Sequence, residues 1–230
     1  MNKLIIDKEN VIDITDNIVE LEIKVNKIEI NVKGRVLINE ITKKDNEDLD
    51  LTINVLPNSS LLYNRFIVEN KMNNNITINQ LENSTMIFNY SLIANDTCKI
   101  NINSILKGDN NNTEINIKGV TENKGSIYVN GTADVLEKIK NNNLLESIKI
   151  LMLNNEQSTI IPNLLVASNE VEVNHAATIS SIDKDELFYL NSKGISNNKA
   201  IKILKEGYLL SNLDLNDTLK ERVKEILGGE

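Results

Sequence analysis

Apolar and polar residues alternate along most of the chain between residues 18 and 173. Short segments place an apolar side chain at every second position, and polar turns separate one segment from the next. A period of two is typical of β-strands that bury one face, so residues such as Ile100 and Ile102 should point inward. The clearest segments are VELEIKV (19–25), IEINV (28–32), LTINV (51–55), NITIN (75–79), KININ (99–103), TEINIKG (113–119) and SIYVNG (126–131).

The turns between these segments indicate how the strands are arranged. Few intervening residues could form a crossover helix, which argues against a doubly wound α/β fold and leaves an antiparallel sandwich or a parallel β-helix. Asn130-Gly131 is the one clear hairpin signature, and other turns are Asn clusters such as NKMNNN (70–75) and GDNNNT (108–113). Asn tolerates the left-handed backbone that tight coil corners need, so the pattern slightly favours the parallel β-helix.

One segment departs from the strand pattern. ADVLEKIKNNNLLESIKI (133–150) contains good helix formers, and Val135, Leu136 and Ile139 are apolar at helical spacing. Local propensity predicts a helix in its first half. The alternative is that tertiary packing overrides this preference and makes the segment a coil of the β-helix.

Beyond His175 the period changes from that of strands to that of helices. Three helices are expected, over residues 183–194, 197–207 and 214–227. Asp183 and Glu186 form a capping-box pattern at the start of the first, and Gly194 is suited to its C-terminal end. Residues 181–230 should therefore form a helical domain that caps the C-terminal end of a β-helix core of residues 1–180.

Composition narrows the classes of partner and compartment. The net charge of −8 argues against nucleic acid, because phosphate binding needs clustered Lys and Arg. The single cysteine, Cys98, excludes an internal disulfide framework and favours a reducing compartment. The N-terminal MNKLIIDKEN lacks the apolar core of a signal peptide, and no later stretch could span a membrane. We therefore expect a soluble, cytoplasmic protein.

The sequence contains none of the short motifs that would indicate an enzyme. It has no GxxxxGK(S/T) phosphate loop, so any ATP hydrolysis would come from a partner, and it has no CxxC or HExxH. His175 is the only histidine, and the serines near it have no nucleophile-elbow signature. We expect a non-catalytic protein.

The segment from Ile161 to Leu209 carries the motifs that suggest a family. They are a Pro-x-Leu-x-Val strand, a valine strand leading into His-x-Ala-Thr, and Ile-Asp followed by Glu-Leu-Phe-Tyr-Leu and Gly-Ile. The residues are Pro162, Leu164, Val166, Val173, His175, Ala177, Thr178, Ile182, Asp183, Glu186, Leu187, Phe188, Tyr189, Leu190, Gly194, Ile195 and Ala200. This pattern resembles the C-terminal core of the SufB/SufD family, the scaffold components of the SUF iron–sulfur cluster assembly machinery. YVNGTA (128–133) and ILML (150–153) also match the family's layout.

The resemblance implies a right-handed parallel β-helix followed by a helical domain, with several departures. Ala176 follows the histidine, where SufD-like members usually have Gly and SufB-like members Glu, and Lys193 replaces the usual Arg. Glu156 occupies the position of a cysteine that SufB-like members are thought to use for sulfur or cluster handling. The resemblance would include an N-terminal helical region, and we expect none in this chain. It therefore resembles the SufD side of the family, or a reduced paralogue.

The resemblance also implies partners. The chain would be a non-catalytic scaffold subunit that pairs with a SufB-like subunit, or with a second copy of itself, and docks a SufC-type ABC ATPase through its C-terminal helices. A transient iron–sulfur cluster or iron would lie at the subunit interface, with none permanently bound. The candidate partner-binding residues are Phe188, Tyr189, Gly194, Ile195, Ala200 and Ile203. Most of the LFYL cluster (187–190) should also be core that docks the helices on the end of the β-helix.

Three residues are candidates for metal or sulfur chemistry. His175 is either an iron or cluster ligand, completed by groups from a partner, or a structural histidine at a strand-to-helix corner. Glu156 is a weaker candidate ligand, because acidic residues are common in this chain and a solvated position at a coil corner explains this one without a functional role. Cys98 is more often inert packing than a reactive thiol.

A second class of function also fits a β-helix. Many such solenoids bind or degrade polysaccharides, and that function would require a carboxylate or basic cluster along an outer groove. It would also require aromatic sugar platforms and usually a secretion signal. The chain lacks tryptophan and a recognisable signal peptide, so we treat carbohydrate binding or degradation as the alternative.

Overall fold

The structure is a computed structural model that describes residues 2–8 and 10–228, without the side chains of residues 45–47. This part of the chain contains thirteen strands followed by three helices. The strands are β1 (Asn2–Ile6), β2 (Asn10–Thr15), β3 (Ile18–Ile23), β4 (Lys27–Lys33), β5 (Arg35–Val55), β6 (Ser60–Gln80), β7 (Thr85–Ala94), β8 (Thr97–Leu106), β9 (Asn112–Thr121), β10 (Ser126–Val135), β11 (Lys140–Met152), β12 (Thr159–Val166) and β13 (Glu170–Ser181). The helices are α1 (Lys184–Ser192), α2 (Asn197–Leu210) and α3 (Asp217–Gly228).

The strands stack in two parallel ladders that face each other. Ladder A runs β1, β3, β5, β6, β7, β9, β11 and β13, and ladder B runs β2, β4, β5, β6, β8, β10 and β12. The long strands β5 and β6 contribute their first parts to ladder A and their second parts to ladder B. Every described pairing is parallel, and the coils form a β-solenoid of about six turns. The parallel β-helix expectation is confirmed over the antiparallel sandwich.

The core lies between the ladders, where the alternating apolar side chains point. In ladder B, Ile30, Ile53 and Ile78 are register partners in successive coils, and all three are fully buried. In ladder A, Tyr63 and Phe88 are register partners whose rings meet edge to face at 5.3 Å. Burying a side chain of this size contributes about 1.5–3 kcal/mol, so each added coil extends one continuous apolar column.

Asparagines stack on the outer surfaces of the coils. The amide nitrogen of Asn64 donates to the side-chain oxygen of Asn39 at 3.0 Å, Asn89 donates to Asn64 at 3.1 Å, and Asn116 donates to Asn89 at 3.1 Å. A parallel register places like side chains directly above one another, so each amide can donate to the next. The abundant asparagine therefore has a structural use in this fold.

Asparagines also occupy corners of the coils. The predicted turn cluster 108–113 contains one of them at Asn110, whereas the predicted turn at 70–75 is wrong, because these residues lie within β6. Asn58, Asn83, Asn110 and Asn141 have positive φ values of 57°, 56°, 59° and 55°. The Asn110 amide donates to the Asn83 side chain, and the Asn141 amide donates to that of Asn110. Asn adopts the left-handed conformation at lower cost than most residues, so these corners turn tightly and still stack.

The segment 133–150 is not helical. β10 continues to Val135, and β11 begins at Lys140 after a short connection. Val135 and Leu144 are fully buried in a cluster that closes this part of the solenoid. Core packing therefore overrides the local helix propensity, and the tertiary alternative is confirmed.

The three helices follow the sequence signals closely, with shifted ends. Asp183 caps α1, its carboxylate accepting the backbone N–H of Asp185 at 2.8 Å, and Gly194 follows the helix with φ 82°. The second helix runs past Gly207 and ends at Leu210. The third begins at Asp217, three residues later than its predicted start.

Helices α2 and α3 lie along the side of ladder A rather than across the end of the solenoid. Their buried residues, which include Leu209 and Val223, join a second apolar cluster with outward-facing residues of five coils. Those residues are Ile41, Phe66, Ile93, Val120 and Leu151. The expected position on the C-terminal end is therefore corrected. The physical reason is that the outer face of ladder A carries apolar side chains, which α2 and α3 remove from water.

The connection between α2 and α3 is hydrogen-bonded to ladder A. Asn64 donates its amide to the Asp214 carbonyl at 2.8 Å and accepts the Asp214 N–H at 3.0 Å. The Asn212 amide donates to the carbonyls of Tyr90 and Asn116, and Ser91 donates to the Leu209 carbonyl. These bonds join residues up to 150 positions apart, and they fix the helices against the coils.

An ion pair is buried inside the solenoid. The Nε of Arg65 lies 2.8 Å from Oε2 of Glu40, and both side chains are fully buried. The Tyr63 hydroxyl donates to the same oxygen at 2.7 Å, and the guanidinium lies 4.9 Å from the centre of the Tyr90 ring. A buried charge must be paired to be tolerated, so this cluster depends on all of its members.

Candidate metal site and docking surfaces

The last coil leaves an open end on the solenoid. Among the described strands, β12 pairs with β10 and β13 pairs with β11, so each has a free edge. Large apolar side chains are exposed there: Ile161 at 52%, Leu165 at 56% and Ile179 at 39%. Unpaired edges with exposed apolar residues are suited to pairing with another sheet.

His175 belongs to an inward-facing column of ladder A. The register partners in successive coils are Ile38, Tyr63, Phe88, Ile115, Glu146 and His175. The residues before Glu146 in this column are buried and apolar or aromatic, whereas His175, in the last coil, is exposed. The lone histidine therefore terminates a core column at the open end, where its ring is reachable.

Glu146 is the polar exception in the buried part of that column. Its side chain is only 2% exposed, and Oε2 has no hydrogen-bond partner within the described residues. Burial raises the pKa of this carboxyl from 4.5 to about 7. Sequence reasoning missed Glu146, although the alternation Leu144, Glu146, Ile148 in LLESIKI already places it on the apolar face.

The opposite ladder leaves room for this carboxylate. Gly131 of β10 faces it so closely that a Cβ at this position would collide with the carboxylate oxygens. Gly131 pairs with Pro162 in the last coil, as Glu146 pairs with His175. The carboxylate of Glu146 therefore fills the space between the two ladders in the coil that precedes the last one.

The other chemical candidates lie away from His175. Glu156 is exposed in the connection between β11 and β12, and the register does not pair it with the histidine. Cys98 is fully buried in β8, in register with Met72 and Ile127. This burial supports the packing interpretation of the thiol. In the described part of the chain, no group of three or more His, Cys, Asp or Glu side chains could hold a metal ion.

The predicted partner-binding residues divide between surface and core. Phe188 and Tyr189 of α1 are 74% and 60% exposed, and Ile203 of α2 is 39% exposed. The expectation that most of the LFYL cluster is core is wrong for these aromatics, because α1 has no buried residue. Ala200 is fully buried, which removes it from the accessible surface.

The remaining two of these residues lie in the turn after α1. Gly194 is exposed there and Ile195 is half-buried, and the Ile195 N–H donates to the Leu190 carbonyl at 3.2 Å. Nearby, a cavity of about 530 Å³ between β13, α1 and α2 is lined by residues such as Ile182, Ile203 and Leu204. Exposed aromatics beside an apolar cavity form a surface suited to a protein partner.

None of the described helices combines the length and the apolar character needed to cross a bilayer.

Fold and surfaces together define a parallel β-solenoid with helices docked on its side and an open terminal coil. Residues 54–208 match the SufBD core domain of the SUF system for iron–sulfur cluster assembly. The match covers more than half of the chain, and the chain belongs to this family. The resemblance noted in the sequence is thereby confirmed.

Individual relatives agree with the family match. The chain is 29% identical over 106 residues to an iron–sulfur cluster assembly SufBD family protein of Staphylococcus aureus (strain USA300). It is equally similar, over the same length, to a protein of that description from Staphylococcus haemolyticus (strain JCSC1435). Each match covers 46% of this chain and 23% of the relative. The aligned segment therefore represents about a quarter of the relatives' length.

Proposed function

We propose that this chain is a non-catalytic scaffold subunit of a SUF-type iron–sulfur cluster assembly complex, with ATP hydrolysis supplied by a SufC-type ABC ATPase. Family membership supports the assembly role. The observation that carries the site is the position of His175, which is exposed at the open end of a core column. There the imidazole binds iron or a nascent cluster, the cargo of the complex, together with groups from a partner scaffold.

The partner scaffold pairs with the last coil. The free edges of β12 and β13 and the exposed Ile161, Leu165 and Ile179 support this pairing. The partner is a SufB-like subunit or a second copy of this chain. Either would cover apolar area and bring its own ligands to the exposed side of His175.

The ATPase docks on the helical region. The exposed Phe188 and Tyr189 and the cavity beside Ile203 support this assignment. Because the helices are bonded to ladder A through Asn64, Asn212 and Ser91, movement of a docked ATPase would be transmitted to the coils. ATP-driven rearrangement of the ATPase would then shift the scaffold between open and closed interfaces.

The histidine is tested by His175→Ala. We expect the variant to fold, because the ring is exposed, but to lose cluster assembly in cells and to bind less iron in vitro. Asn174→Ala is the matched control, since Asn174 is an exposed neighbour on the same strand. Unchanged cluster assembly and iron binding in His175→Ala would contradict the proposed ligand role.

The docking surface is tested by Phe188→Ser. We expect loss of co-purification with a SufC-type ATPase, and a change in the free energy of unfolding within about 0.5 kcal/mol, because Phe188 is largely exposed. Tyr128→Ser is the control, because Tyr128 is an exposed aromatic on ladder B. If Phe188→Ser still captured the ATPase as well as the unsubstituted chain, this surface would be the wrong one.

A further inference from the structure

We infer that Glu146 is a second protein ligand, beside His175, for a divalent iron ion held at the open end of the solenoid. This inference rests on the proposed function, because it identifies the cargo of the same site as an iron ion bound by an imidazole and a carboxylate. The sequence pattern assigned no role to Glu146. Three features of the structure support one.

The first feature is the register. Glu146 and His175 are direct partners in neighbouring parallel strands, and residues paired in this way point to the same face. Parallel strands lie about 4.8 Å apart, so the two side chains leave the sheet side by side. This spacing allows one ion to contact a carboxylate oxygen and an imidazole nitrogen at the usual metal–ligand distances.

The second feature is the unsatisfied carboxylate. Its neighbour one coil further into the solenoid is Ile115, and the column continues with aromatic and aliphatic residues. Oε2 of Glu146 has no hydrogen-bond partner within the described residues, and the exposed fraction of the residue is only 2%. Isoleucine would fill this position without an uncompensated polar group. A bound cation beside the carboxylate would provide the compensation that the protein groups do not.

The third feature is the space made for the side chain. In ladder B, the register partners of Gly131 are Ile102 in the preceding coil and Pro162 in the following coil. Both partners have a side chain, whereas Gly131 has none. A Cβ at Gly131 would overlap the Glu146 carboxylate, so the glycine makes this conformation possible. The absence of a side chain at Gly131 in ladder B thus leaves the space that the Glu146 side chain of ladder A occupies.

The ligand types suit iron. Imidazole and carboxylate are both common ligands of divalent iron, and two protein ligands leave positions open for water, sulfide or a ligand from the partner scaffold. His175 is exposed in the last coil of ladder A, so a partner that covers this coil would reach its ring. The cation enters as the free ion, so the proposal requires no redox step.

The test uses Co²⁺ as an optical and magnetic probe of the full-length chain. Its visible absorption reports binding, and the imidazole resonances of the only histidine report whether the ion is bound at His175. We expect Glu146→Gln to weaken Co²⁺ binding at least about tenfold and to reduce the shift of the imidazole signals. Glu156→Gln, which removes an exposed acid outside the column, should bind as the unsubstituted chain does. Circular dichroism confirms that each variant is folded.

The outcomes separate this inference from the proposed function. If His175→Ala abolishes binding and Glu146→Gln leaves it unchanged, Glu146 is not a ligand, whereas the role of the histidine stands. If neither substitution changes binding, both the inference and the ligand role of His175 are overturned. Failure of the unsubstituted chain to bind Co²⁺ at millimolar concentration also overturns the two-ligand site, and His175→Ala assayed in cells then decides the proposed function alone.

Discussion

Arg65→Met is expected to lower the free energy of unfolding by about 3–5 kcal/mol, as removal of one partner from a buried ion pair typically does. Arg65 and Glu40 are both fully buried, with 2.8 Å between the guanidinium Nε and the carboxylate. Methionine fills much of the arginine volume, so the loss arises from the carboxylate left without its guanidinium. Chemical denaturation monitored by circular dichroism measures the effect.

Two controls identify the cause of this loss. Arg35→Met removes an exposed arginine and should change the free energy of unfolding by no more than about 0.5 kcal/mol. The double variant Arg65→Met/Glu40→Leu removes both charges and should recover a large part of the lost stability. The double variant could instead be less stable than Arg65→Met, by as much as a second, independent core substitution would destabilise the protein. That result would mean that the unpaired carboxylate does not cause the stability loss of Arg65→Met.

Glu146→Gln is expected to stabilise the protein near and above neutral pH by up to about 3 kcal/mol, the value of a shift from 4.5 to about 7 in the pKa. Below about pH 4.5 the carboxyl is protonated in both the folded and the unfolded chain, so the glutamate imposes no ionisation penalty. Between pH 4.5 and 7 the unfolded chain ionises while the folded chain stays protonated, so stability falls as the pH rises. Above pH 7 both are ionised, and the penalty remains constant.

Denaturation curves at a series of pH values measure this difference. The stability gap between Glu146→Gln and the unsubstituted chain should open as the pH rises through this interval and then level off. Glu156→Gln should show no such gap, because Glu156 lies in an exposed connection. A gap that did not change with pH would mean that the glutamate carboxylate is not the destabilising group.

A stabilising substitution at Glu146 would also have a functional implication. Residues that reduce stability are retained where activity needs them, and a buried carboxylate without a partner is such a residue. The stability measurement and the Co²⁺ measurement therefore address the same side chain from two directions. Increased stability together with weaker ion binding is the combination that the proposed site requires.

The strands and helices were largely predictable because their signals are local. Alternation identifies the strand segments 28–32 and 75–79, which lie in β4 and β6. Capping residues such as Asp183 and Gly194 locate α1. The failures occurred where distant contacts decide the outcome. The segment 133–150 is strand because it completes a core cluster. Phe188 is exposed because α1 has no buried residue, whereas α2 and α3 are the helices that pack on ladder A.

The candidate site was predictable only in part. His175 is conspicuous as the single histidine in a motif that resembles a family. Glu146 is 29 positions earlier in the chain and carries no motif, and it becomes the neighbour of His175 only when β11 pairs with β13 in one particular register. A shift of that register by one residue would turn Glu146 to the opposite face.

By itself, the sequence determined the strand segments, the three helices and the family, because each depends on residues close together in the chain or on a motif. The alternation only slightly favoured parallel coils over an antiparallel sandwich, and the strand pairing decided between them. The tertiary structure decided which coil residues meet, since stacked residues are 18 apart at Asp13 and Asn31 but 31 apart at Asn112 and Asn143. It also decided where the helices lie, through bonds such as that between Asn64 and Asp214. The physical reason is that strand pairing and surface burial are chosen by the total area and the hydrogen bonds of the assembled coils, which no local window of sequence contains.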